Sequence, residues 1–220
     1  MSDTSARASP DVSGNRGGPA RIIGKVSISK PVLLVVIAST RPGRVGLPVA
    51  RWFADFARNH GGFDVEIADL AEIDLPMMDE PNHPRLRAYV HDHTHSWSAV
   101  VERADAVVFV MPEYNHSFTA PLKNAIDFLA QEWKHKPVGT VSYGGVSAGI
   151  RAVEALKPVL LALSMVPVNE AVLVPFVAQH VSGEGEDRVF APNEEIEIGA
   201  KDLLDALAAW TPTVRTLRSA

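Results

Sequence analysis

The residues best suited to chemistry lie in three short segments. Ser39-Thr40-Arg41-Pro42-Gly43-Arg44-Val45-Gly46 sets two hydroxyls, two guanidinium groups and two glycines directly before a stretch of helical period. That mixture suits a phosphate, because a helix start offers unpaired N–H groups and partial positive charge, glycine lets main chain approach, and arginine adds a charge-assisted bond. A plain capped helix start, with Ser39 or Thr40 in a turn, would use the same hydroxyls without any ligand. The segment lacks Gly-x-x-x-x-Gly-Lys-Ser/Thr, which argues against a P-loop NTPase.

Pro112-Glu113-Tyr114-Asn115-His116-Ser117-Phe118-Thr119-Ala120-Pro121 mixes prolines, an amide, an aromatic ring and hydroxyls. Such a loop offers many hydrogen bonds beside a flat apolar surface and suits a planar heterocycle. Pro121 fits a first helical turn, which leaves Ser117 and Thr119 near the helix start. A well-capped loop would explain that start but not Tyr114 and Asn115 together. Tyr143-Gly144-Gly145-Val146-Ser147-Ala148-Gly149 adds glycines that allow close approach of main chain to a ligand. It is not the Gly-x-Gly-x-x-Gly dinucleotide fingerprint, which should also follow a first strand.

Other reactive side chains read as structural. His91, His93 and His95 alternate, but no glutamate stands as in His-Glu-x-x-His and the segment is polar, so exposed histidines are expected and no metal. His116 lies inside the second loop, either near enough to tune a bound ring or facing solvent. Trp52, Trp97, Trp133 and Trp210 read as packing or interface residues.

These segments need elements to hold them. From residue 32 the chain alternates short apolar runs with longer helical-period stretches, the pattern of a parallel sheet covered on both faces. Strands are expected at Val32–Ala38, Phe63–Asp69, Ala106–Met111, Val138–Ser142 and Met165–Val174, with helices near Gly46–Asn59, Pro84–Arg103, Thr119–Gln131, Gly149–Leu163 and Asn193–Trp210. Within the first helix Leu47, Ala50, Phe53, Ala54 and Ala57 form an apolar stripe away from Arg51, Asp55 and Arg58. Right-handed crossovers allow a 2-1-3-4-5 flavodoxin-like sheet or a Rossmann half, and periodicity does not choose between them. In either, a ligand sits outside the carboxyl ends of the strands, where the three segments fall. Ser182–Asp187 (SGEGED) reads as a surface loop.

Composition bounds the rest. The 220 residues allow one sizeable domain, and 46% hydrophobic content supports a buried core. No apolar run reaches membrane-spanning length, so a soluble protein is expected. A formal charge of −5 argues against general nucleic-acid binding and means that an anionic cofactor needs local cations. Cysteine is absent, which removes disulfides, thiolate nucleophiles and iron–sulfur ligation and suits a reducing cytoplasm. Residues 1–30, rich in Ser, Gly, Pro and Arg and without an apolar signal region, read as a disordered tail. Asp3 and Asp11 weaken a transit-peptide reading, and residues 31–220 form the single domain.

Taken together, the three loops resemble those of the NAD(P)H-dependent FMN reductases, a family that includes bacterial quinone and chromate reductases. Ser39-x-Arg41 is similar to the family's Gly-Ser-x-Arg phosphate loop, with Ala38 in place of glycine. Pro112-Glu113-Tyr114-Asn115-x-Ser117, followed by Leu122-Lys123-Asn124-Ala125-Ile126-Asp127, resembles its second flavin loop almost residue for residue, and Gly144-Gly145 through Gly149 resembles the third. Arg44 stands where many relatives carry serine.

The resemblance spans roughly residues 32–175 and implies an α/β flavodoxin-like three-layer sandwich with a five-stranded parallel sheet in order 2-1-3-4-5. It implies FMN held by Ser39, Arg41 and Arg44 at the phosphate, by Pro112, Glu113, Tyr114, Asn115 and Ser117 along the ribityl chain and ring, and by Gly144 and Gly145 at the ring edge, with Gly46 and Tyr143 also at the cofactor. NADPH or NADH would be the donor, a small molecule such as free flavin, a quinone or an azo compound the acceptor, and the flavin itself would carry the hydride chemistry without a catalytic side chain. A homodimer or homotetramer is also implied. The competing reading is a flavodoxin-like electron carrier without NAD(P)H activity. The arginine-containing first loop and the Tyr-Asn loop favour the enzyme. A flavin-free response-regulator-like domain would need acidic residues where Ser39 and Arg41 stand.

Overall fold

The computed structural model describes Met1 and residues 30–218. The expected disordered tail lies outside the described residues apart from its two ends. Strands β1 (Val32–Ile37), β2 (Asp64–Asp69), β3 (Ala106–Pro112), β4 (Pro137–Tyr143) and β5 (Val166–Val174) form one parallel sheet in the order β2-β1-β3-β4-β5. This is the flavodoxin-like order, and it settles the choice that periodicity left open. Connections run outward from β1 and β3 in opposite directions, so a crevice opens between their carboxyl ends.

Helices α1 (Gly46–His60), α2 (Leu70–Ile73), α3 (Asp92–Arg103), α4 (Ala120–Asp127), α5 (Ile150–Ala162) and α6 (Glu194–Arg215) cover the sheet. Strand alternation sends Leu34, Val36, Phe109 and Met111 toward α3, α4 and α5 and sends Leu33, Val35, Ile37 and Val110 toward α1 and α6. Both faces are therefore apolar, and β3 and β4 are buried along their whole length. The expected stripe on α1 faces this core: Ala50, Phe53 and Ala57 are fully buried. Burying Phe53 alone contributes roughly 2–3 kcal/mol. No helix among the described residues is long and apolar enough to cross a membrane.

The elements differ from expectation in several places, among them the short helix α2, which was not expected. The long helix expected over Pro84–Arg103 is a short 3-10 turn at Pro84–Leu86 followed by α3, because Arg87 takes a left-handed φ of 51° and Glu80 accepts the N–H groups of Val90 and His91. The helix expected to reach Gln131 stops at Asp127, and a separate 3-10 turn at Gln131–Trp133 carries the buried Glu132 and Trp133. The last helix continues past Trp210 to Arg215, through Pro212, with Thr211 and Val214 buried against the body. A small antiparallel hairpin of β6 (Val181–Ser182) and β7 (Val189–Phe190) flanks the acidic loop.

Candidate functional site

The turn after β1 is built around an ion pair. Arg44 donates through both terminal nitrogens to Asp69, the last residue of β2, at 2.5 Å each, and Arg44 Nη1 also donates to the Ser39 carbonyl at 2.6 Å. Asp69 is buried and in addition caps α2 by accepting from Ala71 N at 3.0 Å. The Asp69 hydrogen bond raises the Arg44 pKa, so this guanidinium stays charged.

Ser39 is fully buried, and its Oγ has no hydrogen-bond partner of good geometry among the described residues. It lies under the first turn of α1, where a Cβ on Gly46 would meet Ser39 Oγ at 2.2 Å and the Tyr143 hydroxyl at 2.3 Å. Burial raises the Tyr143 pKa, an effect that the adjacent Ser39 hydroxyl partly offsets. Arg41 is exposed, and its guanidinium has no ion-pair or hydrogen-bond partner among the described residues.

The first helix leaves its own donors unused. Val45 stands at its N-cap without a side-chain cap, and inside the turn the main-chain bond formed is Arg44 N–H to the Arg41 carbonyl. The N–H groups of Gly43, Val45, Gly46 and Leu47 are thus unpaired among the described residues and gather beside Arg41. A helix start of this kind favours an anion.

The turn after β3 is a tight hairpin in which Tyr114 and Ser117 exchange main-chain hydrogen bonds at 2.9 and 3.0 Å. Asn115 and His116 occupy its centre with φ of 49° and 65°, as a type I′ turn requires. The positive φ is unusual for histidine and costs energy that the surrounding loop must hold. Tyr114 is thereby presented outward, 40% exposed, and His116 sits at the exposed tip. Thr119 fastens this segment: its hydroxyl donates to the Ala38 carbonyl at 2.8 Å and accepts from Leu122 N at 3.3 Å, capping α4.

Glu113 joins the second loop to the third. Its carboxylate accepts from Ser147 Oγ at 3.0 Å, Arg151 N at 3.2 Å and Arg151 Nε at 2.6 Å, and the Arg151 guanidinium holds its pKa below the ordinary value. In the third loop Gly144 donates to the Val174 carbonyl and Val177 N donates to Gly144, so the loop is tied to the end of β5. The N–H groups of Gly145, Val146 and Ser147 stay free among the described residues. Gly149, at φ 86°, could not carry a side chain, since a Cβ would meet Ser142 Cβ at 2.8 Å and Tyr143 N at 2.9 Å.

These pieces enclose a crevice of about 290 Å³ whose walls include Arg41, Arg44, Pro112, Glu113, Tyr114, Tyr143 and Gly144. Seven of the residues expected from the sequence therefore line one space. Gly145, Asn115 and Ser117 lie on the same loops, while Ser39 and Gly46 form the packed floor under α1. Sequence reasoning missed Asp69, Val45 and Val177. Asp69 ends β2 and meets Arg44 only because β2 is the neighbour of β1 in the sheet, and Val177 follows β5, a loop outside the three considered. A larger cavity of about 670 Å³ lies between α1 and the β6–β7 hairpin, against Trp52 and Phe190. It lies along the flank of α1 and borders the first loop through Pro48 and Arg188, but it includes none of the residues expected at the cofactor, and volume alone does not make it the site. Trp97 and Trp133 are buried and donate to the Ala125 and Ile126 carbonyls. His91 and His93 stack with centroids 5.1 Å apart, and His93 contacts Asp79 at 3.0 Å.

An open parallel sheet in this order, with an uncapped helix start and an aromatic hairpin at its switch point, defines a flavodoxin-like fold. The family model for NADPH-dependent FMN reductase matches residues 31–179, and the chain belongs to that family. An NAD(P)H-dependent FMN reductase of Schizosaccharomyces pombe is 38% identical over 149 residues, covering 66% of this chain and 74% of that one. Another from a Nectria species is 33% identical over 192 residues, covering 80% and 92%. In fold the chain is similar to the flavoenzyme NAD(P)H:(acceptor) oxidoreductase FerB of Paracoccus denitrificans, with a TM-score of 0.65 at 24% identity over 83% of this chain and 98% of that one.

Proposed function

We propose that the crevice holds FMN, with its phosphate at Arg41 and the free N–H groups of Gly43, Val45, Gly46 and Leu47 and its ring between Tyr114 and the Tyr143-Gly144-Gly145 segment. Family membership makes the chain an FMN-dependent NAD(P)H oxidoreductase. The chemistry FMN supplies when bound is acceptance of hydride from NAD(P)H and delivery of electrons to an acceptor. The fit rests chiefly on the first turn: an uncapped helix start, several unused N–H donors and an unpaired arginine stand together in a protein of net charge −5.

Each loop then has a task. The Arg41 guanidinium and the α1 start bind and fix the phosphate end. The Pro112–Glu113 main chain, Asn115 and Ser117 line the ribityl path, and the Glu113–Arg151 pair holds the second and third loops at a set spacing. Free N–H groups at Gly145, Val146 and Ser147 favour negative charge near the ring edge. The acceptor in this reading is a small molecule such as free flavin, a quinone or an azo compound, supported by the exposure of Tyr114 in the crevice wall. A homodimer or homotetramer is part of the same reading, supported by the exposed apolar side chains of Tyr114, Val146, Ile150 and Phe176 around the loops. A cytoplasmic setting accords with the cysteine-free sequence.

The test is a fluorescence titration with FMN and with riboflavin, on the wild-type protein and on Arg41→Ala. The wild type should bind FMN much more tightly than riboflavin, and Arg41→Ala should narrow that gap about tenfold or more. Equal binding of the two flavins by the wild type would overturn the phosphate assignment.

A further inference from the structure

Two arginines belong to the phosphate turn itself, and the structure treats them differently; a third, Arg188, reaches the turn from the β6–β7 hairpin and donates to the Gly43 carbonyl at 2.5 Å. Arg41 projects outward without a partner among the described residues, whereas the Arg44 side chain is only 14% exposed and is gripped by an Asp69 carboxylate that is 5% exposed. Both Asp69 oxygens accept from Arg44, and one also accepts from Ala71 N. A buried carboxylate with this many donors is satisfied, and its charge cancels that of Arg44 at short range. The remaining donation from Arg44, at 2.6 Å, goes to the Ser39 carbonyl. The guanidinium fork thus spans from the end of β2 to the last residue before the turn.

We propose that Arg44 is a positioning residue: braced by Asp69, it fixes the Ser39 carbonyl and so sets the turn from which Arg41 and the α1 N–H groups meet the cofactor's phosphate. This rests on the FMN reading above. A neutral pair brings little net attraction for a phosphate, so Arg41 carries the binding charge and Arg44 carries the geometry. The two assignments differ in the sign of one effect. If Arg44 bound phosphate itself, Asp69 would compete for it as an anion, and removing that charge would strengthen FMN binding. If Arg44 acts through the turn, removing Asp69 loosens the brace and weakens FMN binding.

The experiment measures FMN and riboflavin dissociation constants by flavin fluorescence for wild type, Arg44→Ala, Arg44→Lys, Asp69→Asn and the Arg44→Ala/Asp69→Asn double variant, with thermal unfolding of each apo protein alongside. Asp69→Asn keeps the side-chain shape and serves if Arg44→Ala folds poorly. Each single substitution should weaken FMN about tenfold and riboflavin less than about twofold, and the double variant should be no weaker than the worse single, as coupled residues behave. Arg44→Lys should fail to rescue, because an ammonium cannot reproduce a fork that reaches a carboxylate and a carbonyl at once. FMN affinity that is unchanged or tighter in Asp69→Asn, or losses that multiply in the double variant, would overturn the proposal. Equal loss of both flavins with lowered unfolding temperature would reduce the pair to a general structural role. Failure of the wild type to prefer FMN over riboflavin would instead strike the flavin reading itself.

Discussion

Gly46 lies so close to Ser39 that a side chain cannot be added without moving one of them. A Cβ there would stand 2.2 Å from Ser39 Oγ and 2.3 Å from the Tyr143 hydroxyl, and both neighbours are buried. Gly46→Ala therefore overpacks the floor of the crevice and should cost about 1–3 kcal/mol of stability, read from the denaturant midpoint. FMN affinity should fall with it, because the displaced atoms support the first turn of α1. Wild-type stability and affinity in Gly46→Ala would mean that the floor is looser than these distances require.

Thr119 links the first two loops through one hydroxyl. Thr119→Val keeps the volume but removes the donor to the Ala38 carbonyl and the cap on Leu122 N, in a side chain that is buried. A lost cap and an unsatisfied buried carbonyl together should cost about 2 kcal/mol. Urea denaturation of the apo protein checks this, and Thr119→Ser, which retains the hydroxyl, should recover most of the loss.

The strands were legible in the sequence to within a residue or so at each end, because β1, β3 and β4 are buried on both faces and so read as unbroken apolar runs. The segment from Pro84 to Arg103 was not, since its helical period is overridden where Glu80 captures the main chain of Val90 and His91 and Tyr89 turns inward to Glu132 at 2.9 Å. The last helix was expected to end near Trp210, yet burial of Thr211 and Val214 carries it through Pro212 to Arg215. Residue types singled out Arg41, Tyr114 and Gly144, which line the crevice. The commitment of Arg44 to Asp69 was illegible, because it depends on β2 and β1 being neighbours in the sheet and not on any local spacing.

Lys136 is buried at 2% exposure, with its ammonium directed at the Val101 and Glu102 carbonyls. Burial, aided by the nearby Arg218 charge, lowers its pKa from 10.5 to about 7. The unfolded chain therefore binds more protons than the folded one between about 7 and 10.5, and stability from this group rises with pH across that window. Below about 7 both states are protonated and the burial cost is fully present. The stability of wild type minus that of Lys136→Met should climb through the window, and a flat difference would mean that the amine is not desolvated in the folded protein.

If the crevice holds FMN and NAD(P)H delivers its hydride there, both events are visible in the flavin absorbance of protein reconstituted with FMN, desalted, and mixed with NADPH or NADH under anaerobic conditions. Flavin bands that survive desalting and bleach on addition of the donor are the predicted result. Retained but unbleached flavin would contradict the enzyme and point to a carrier, and no retained flavin would contradict the site.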